Sequence, residues 1–406
     1  PGSVQVDFGA VMERMRRVRA EISEHDSAQR FADLGIDLYL GDGRFTGPDT
    51  IEVAGQSLTF KKALISTGSR PMHLPIPGAA EAGYLTNETV WSLTELPPRL
   101  AVIGAGPIGV ELAQSFRRFG ADVTIFDISP RLMSREDEDA AAVIRTVFED
   151  EGINLALGAQ ISQVRVDDGA KVIDYTLEGE ERSVTVDEIL MAAGRVPNID
   201  TLDLEKAGID YHQKGVTVSD TLQTSNSNVY AAGDVAIKYQ FTHTAAHTAW
   251  YASVNALFGR FRRFKVDYSV IPWATFTDPE VARVGLNETE AGERNIAYEL
   301  TTYGIDDLDR AIVDESAQGL VKVLTVPGKD KILGATIVGE HAGDLIVEFI
   351  LAMRHGIGLN KILGTIHIYP TWVEANKYAA GNWKRAHAPQ RLLEWVGRYH
   401  AWIRGA

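Results

Sequence analysis

One stretch limits what this chain can fold into more than any other: residues 100–127, LAVIGAGPIGVELAQSFRRFGADVTIFD. Residues 100–103 are a short apolar run, the pattern of a strand buried on both faces. Gly104, Gly106 and Gly109 follow at GxGxxG spacing. The first makes a tight turn, the second lets backbone approach a pyrophosphate, and the third lets the next helix pack closely on the strand. That helix opens near Pro107, with its free N–H groups and positive dipole end facing the phosphates. Val110, Ala113 and Phe116 carry it to Gly120, a stop signal. A second strand, 122–126, ends at Asp127, about 20 residues past the glycines, where an acid holds a ribose 2′-hydroxyl. Strand, glycines, helix, strand and terminal acid together specify a dinucleotide site. A glycine-rich turn in an ordinary βαβ unit leaves Asp127 unexplained.

The 406 residues are 45% hydrophobic and 23% charged, long enough for two or three domains. A net charge of −15 argues against general affinity for nucleic acid or anionic membrane. The last thirty residues are locally basic, which a solvated helix face explains more simply than a binding patch. No run reaches the length of a membrane span, and the first thirty residues are too charged for a signal peptide. A cytoplasmic protein without membrane or nucleic-acid partners is expected. There is no cysteine, so these residues hold no disulfide, thiolate nucleophile or cysteine metal site.

Along the chain, residues 7–34 predict one amphipathic helix, with Val11, Met15, Val18 and Ile22 on its apolar side. Short strands follow: IDLYL, GRF, TIEV, SLTF and ALIS, the last running into Thr67–Gly68. Residues 72–99 are a Pro- and Gly-rich connector. Residues 136–151 predict a helix ended by Gly152, and 153–190 alternate like antiparallel strands (NLAL, ISQVRV, KVIDYTL, SVTV). A buried strand then turns at Gly194. Residues 228–235, NVYAAGDV, bring an apolar strand to Gly233–Asp234, ahead of a helix over about 242–258. Asp234 there either accepts from a ligand's hydroxyls or caps the helix. His243 and His247 have the spacing of a metal pair but no evident third ligand, and no metal is expected. The last third is an α+β region with strands near 319–326 and 331–338, then helices near 341–355 and 371–382. Between the helices, His367 and Tyr369 share a loop with Glu374 one turn on, a possible acid–base set or an ordinary polar loop. Trp372, Tyr378, Trp383, Trp395, Tyr399 and Trp402 suit a subunit interface.

The order STGSRP, GAGPIGVELAQ, AAGRVPN, VYAAGDV, FTDPEVARVG, HIYPTWVEA resembles the class I pyridine nucleotide-disulfide oxidoreductases, mercuric reductase-like and dihydrolipoyl dehydrogenase-like members above all. The resemblance covers essentially the whole chain. It implies an α/β fold in which a split, here incomplete, FAD-binding Rossmann-like domain carries an inserted NAD(P)-binding Rossmann-like domain. A C-terminal α+β dimerisation domain follows. The implied boundaries are 1–80 and 199–268 for the two FAD-binding parts, 81–198 for the NAD(P)-binding domain and 269–406 for the dimerisation domain. Thr67, Gly68, Gly233 and Asp234 would face FAD. Gly104, Gly106, Pro107, Ile108, Gly109 and Asp127 would hold the nicotinamide coenzyme, with Glu111 toward its nicotinamide end and Gly194 lining the same site. The loop from His367 to Glu374 would reach across a homodimer toward the partner's flavin.

Two departures qualify this. The family's own N-terminal FAD GxGxxG unit and redox-active Cys-x4-Cys are absent, so the sequence reads as an N-terminally truncated member. In the dimer loop Tyr369 replaces the second His of the usual His-x-His-Pro, as in mercuric reductase. The C-terminal cysteine pair of mercuric reductase is also missing, which puts mercury as substrate in doubt, and His367 is left as a substitute catalyst. Asp127 favours NADH over NADPH by repelling a 2′-phosphate, while Arg131, four residues on, could accommodate one. The implied activity is hydride transfer from NAD(P)H to FAD and on to a disulfide, metal ion or other small acceptor. The alternatives are a nucleotide-binding dimer module without turnover, or a disulfide-independent NADH diaphorase or quinone-type reductase.

Overall fold

A computed structural model describes residues 5–405. They form two compact units, one of residues up to Pro130 with Glu151–Tyr268, the other of Arg131–Asp150 with the chain from Ser269 onward.

The first unit is built on a four-stranded parallel sheet in the order Glu188–Met191, Arg99–Ile103, Asp122–Asp127, Asn154–Leu157. Its central strand is fully buried from Leu100 to Ile103, as the continuous apolar run requires. NLAL is thus a parallel member of this sheet and not part of the antiparallel run. It follows a helix in sequence, and a crossover returns a strand in the same direction. ISQVRV, KVIDYTL and SVTV do form the expected antiparallel meander. A smaller meander spans Arg44–Gly47, Thr50–Val53 and Gln56–Thr59. Ala63–Ile65 pairs in parallel with Val229–Ala231, and Ser69–Pro71 pairs antiparallel with Arg195–Pro197. These last two pairings join segments far apart in sequence and bring Thr67, Gly68 and Asp234 into one neighbourhood.

Two local expectations fail. IDLYL forms no strand, because no described segment pairs with it, and Ile36, Leu38, Tyr39 and Leu40 are all exposed. The first helix is also not continuous. It runs over Phe8–Ser23, and a second begins at Ala28 because Ser27 caps it by accepting from the Arg30 amide. Its buried face centres on Phe8 and Met12, not on Ile22, because the Phe8 ring packs 5.8 Å from both Phe116 and Phe119.

The second unit is a five-stranded antiparallel sheet in the order Pro272–Thr275, Glu280–Gly285, Ile332–Gly339, Leu320–Thr325, Glu299–Gly304. The helices Ala342–Arg354 and Glu374–Ala386 contribute Phe349, Ala375, Ala379 and Trp383 to its core. Trp372 and Trp383 are therefore buried within their own unit and supply no interface surface. The helix Glu138–Asp150 packs on this sheet. Behind it lies a buried ionic cluster. Lys322 Nζ stands 2.8 Å from Asp139, 3.1 Å from Asp137 and 2.5 Å from Glu288. Arg283 pairs with Glu290 at 2.7 Å and lies 4.2 Å over the Trp273 ring. Charges removed from water in this way need their partners in place.

Candidate functional site

The glycine turn is shaped by three different demands. Gly104 has φ +113°, and a Cβ there would lie 2.5 Å from Ala192 O. A Cβ on Gly109 would lie 1.9 Å from Gly104 O, so strand–helix packing itself demands glycine. Gly106 is unlike both. Its φ of −80° suits any residue, and a Cβ there would meet nothing within 4 Å. Nothing among the described residues requires glycine at 106, whereas close approach of a ligand would. Pro107 and Ile108 open the helix Pro107–Phe119, which has no side-chain cap, leaving its first-turn amides to an anion. The residues present therefore fit a dinucleotide phosphate. Asp127 closes the turn: Oδ2 accepts from the Ala105 amide and Oδ1 from the Ser129 amide, both at 2.7 Å. Glu111 lies half-buried one turn into the helix, and Gly194, with φ +119°, accepts from the Met72 amide.

The second cluster gathers Thr67, Gly68 and Asp234. Thr67 Oγ1 donates to Asn198 O at 2.8 Å, and the Asn198 amide groups donate back to Thr67 O and Gly68 O. Asp234 does not cap the helix Thr242–Phe258, whose cap position is Phe241 with no side-chain bond. Instead Asp234 Oδ2 accepts from Ser69 Oγ at 2.6 Å. Arg195 donates from Nε to Ser69 Oγ at 2.7 Å and from Nη2 to Ser69 O at 2.6 Å, with Asp234 3.8 Å away. Ser69 and Arg195 hold Asp234, and sequence reasoning passed over both. Their signal was position, each directly after a glycine of a strand-end motif. Asp234 Oδ1 accepts no hydrogen bond from the described residues, which leaves it free for a sugar-like hydroxyl. A cleft of about 560 Å³ opens beside Thr67, lined also by Arg70, Asn198 and Asp200. That is within the size range of small-molecule sites.

In the second unit, His367, Tyr369 and Glu374 share a loop and helix start but do not bond to one another. The His367 side chain is 4% exposed, its Nε2 lying 3.0 Å from Glu348 Oε1 and its Nδ1 3.0 Å from Thr365 O. Glu348 also accepts from Asn376 Nδ2. His367 thus holds the loop base. Glu374 is buried, and its Oε2 accepts from the Thr371 amide at 3.1 Å. Tyr369 is exposed, and its hydroxyl donates to Asp309 Oδ2 at 2.9 Å. That hydrogen bond, with the carboxylate's charge, holds the phenol above the ordinary tyrosine range. Asp309, sixty residues earlier, carries no sequence motif. His243 stacks on Phe241 and His247 lies against Tyr251. Among the described residues no three His, Asp or Glu side chains converge as metal ligands.

Residues 9–249 match the pyridine nucleotide-disulphide oxidoreductase family, and residues 271–380 match its dimerisation domain. The mercuric reductase of Staphylococcus aureus is 35% identical over 92% of this chain and 68% of its own length. The dihydrolipoyl dehydrogenase of Thermus scotoductus is 35% identical over 85% of this chain and 75% of its own. Among solved structures, the HOCl-induced flavoprotein disulfide reductase RclA from Escherichia coli superposes with a TM-score of 0.84 at 27% identity, covering 93% of this chain and 86% of that one. The α/β unit with its glycine turn, the antiparallel dimerisation unit and these relatives agree: the chain belongs to the pyridine nucleotide-disulfide oxidoreductases, a family of FAD- and pyridine nucleotide-dependent enzymes.

Proposed function

We propose that this chain takes NADH in preference to NADPH and serves a two-electron reduction of a small acceptor in a homodimer. The observation that carries the coenzyme reading is the open space at Gly106, between two glycines that the fold itself demands. The first-turn amides of Ile108 and Gly109 would bind the pyrophosphate, and Asp127 would accept from the ribose 2′-hydroxyl and repel a 2′-phosphate. Glu111 and Gly194 would line the nicotinamide end. Thr67 and Gly68, held by Asn198, and Gly233 and Asp234, the latter held by Ser69 and Arg195, would face the flavin cofactor. When bound, FAD supplies the two-electron relay between nicotinamide and acceptor. Tyr369 would hold a proton at its hydroxyl near the acceptor, with Glu374 fixing the loop through the Thr371 amide. His367 contributes by anchoring that loop. The dimerisation-domain match supports the homodimer.

A second reading is favoured by one fact: the 406 residues contain no cysteine. These residues offer no thiol to relay electrons from a bound flavin, so an acceptor held beside it would be reduced directly, as in a diaphorase or quinone-type reductase. The deciding experiment is a visible absorbance spectrum of the purified chain before and after anaerobic NADH. A flavin band bleached by NADH supports the oxidoreductase, and dye reduction that persists with thiol-blocking reagents then selects the diaphorase form. A colourless protein that still binds NADH reduces this chain to a nucleotide-binding module.

A further inference from the structure

The buried face of the helix Thr242–Phe258 is mostly polar. Its buried residues are Thr244, Thr248, Ala252 and Asn255, which recur at helical spacing along one side. A helix packed on a core ordinarily turns aliphatic side chains inward. Asn255 has a clear task, because its Nδ2 donates to Thr221 O and Phe264 O and its Oδ1 accepts from the Phe264 amide. Thr248 is fully buried. A threonine in mid-helix usually gives its hydroxyl to the carbonyl one turn back, and Thr248 Oγ1 does donate to Thr244 O at 2.9 Å. A hydroxyl that donates can still accept. Thr248 uses that capacity outside its own helix, where Oγ1 accepts from the Gly233 amide at 3.2 Å.

We infer that Thr248 is a positioning residue for the flavin site: by holding the Gly233 amide it sets where the neighbouring Asp234 carboxylate stands. The inference rests on the reading that Asp234 faces the cofactor. Other contacts reach this turn from the strands. The Ala232 amide donates to Ile65 O, and Ser69 with Arg195 holds the Asp234 side chain. Neither ties the turn to the helix. Gly233 does so by two means. It has φ +75°, and a Cβ there would lie 3.2 Å from Ala245 Cβ, so its backbone rests directly on the helix. Its amide then has Thr248 as acceptor. Without that hydroxyl the amide is a buried donor with no partner, and the turn satisfies it only by lifting toward water. Asp234 is the next residue and moves with it, which pulls Oδ2 away from Ser69.

The test is titration of FAD into the flavin-free full chain, with amide hydrogen exchange of the turn measured on the same protein. Thr248→Val keeps the side chain's shape and removes the hydroxyl, and Thr248→Ser puts the hydroxyl back. Thr248→Val should lower FAD affinity about tenfold and speed exchange at Gly233 by a similar factor, the scale on which a buried N–H loses its partner. The last two turns of the helix should keep native protection, NADH affinity should hold, and Thr248→Ser should recover both losses. Native exchange at Gly233 in Thr248→Val overturns the inference. So does a loss of FAD affinity that Thr248→Ser does not recover, because methyl packing is then responsible. A native chain that takes up no FAD fails the flavin reading of Asp234, and this role with it. A native chain that takes up FAD, matched by Thr248→Val, fails only the role given to Thr248.

Discussion

The Asp127 carboxylate accepts from the Ala105 amide at 2.7 Å, tying the end of one strand to the turn that follows its neighbour. The side chain proposed to read the coenzyme's ribose thus also shapes the loop that would hold its phosphates. Asp127→Asn keeps an acceptor for Ala105 but removes the charge. It should weaken NADH binding about tenfold, the scale of a lost charge-assisted hydrogen bond, and narrow the gap between NADH and NADPH. Calorimetric titration with both coenzymes checks this. An unchanged ratio would remove Asp127 from coenzyme selection.

Gly106 and Gly109 should respond differently to the same substitution. Gly109→Ala drives a methyl to within 1.9 Å of a backbone oxygen and should cost about 1–3 kcal/mol of stability. Gly106→Ala meets open space, so thermal unfolding of the coenzyme-free chain should hardly move while NADH affinity collapses. If both variants keep full NADH affinity, the turn is structural and the coenzyme lies elsewhere.

The buried cation Lys322 holds Asp137, which is nearly excluded from solvent. Lys322→Met leaves that carboxylate without its cation and should destabilise the second unit by about 3–5 kcal/mol. Pairing it with Asp137→Asn should restore part of the loss, a coupling that urea unfolding of the four proteins measures.

The same aspartate gives a pH signature. Burial alone would raise its pKa, but the Glu288 amide, the Lys322 ammonium and the Thr289 amide outweigh burial and hold it below the ordinary 3.8. A carboxyl depressed on folding stabilises fully above its unfolded value, and that contribution is lost as pH falls from there through the folded value. Unfolding free energy should therefore drop below about pH 4, with a shallower slope in Asp137→Asn. Equal slopes would show that Asp137 is no more acidic in the folded chain than in the unfolded one.

What could be read from the sequence was local. The buried strand, the glycine spacing and Asp127 sit within 28 consecutive residues, and short-range periodicity and turn chemistry suffice to see them. Asp234 was legible as a strand-end acid, but not its hold on Ser69, because the pairing of Ala63–Ile65 with Val229–Ala231 spans much of the chain. Lys322 lies in LVKVLT, whose alternation predicts an outward lysine. It is buried because Asp137, Asp139 and Glu288 meet it there, and no window holds all of them. IDLYL failed for the converse reason. Strand propensity needs a partner, and no described strand lies beside it.

Tyr369 offers the most direct test of the proposed acid. Its hydroxyl donates to Asp309, and a hydrogen bond to a carboxylate keeps a phenol protonated to higher pH than usual. Asp309→Asn should bring the Tyr369 titration back down, seen as earlier tyrosinate absorbance that is absent when Tyr369→Phe is added. The variant's acceptor reduction should then fail at lower pH than the native chain's, since the proton leaves sooner. Tyr369→Phe should slow acceptor reduction about 10²-fold, the scale of general acid catalysis, without altering the NADH-dependent bleaching of the flavin. Loss of bleaching together with acceptor reduction would show that the loop acts on assembly of the site. A Tyr369→Phe chain with native turnover would leave the hydrogen bond to Asp309 as a surface contact and return the search for the proton donor to the acceptor itself.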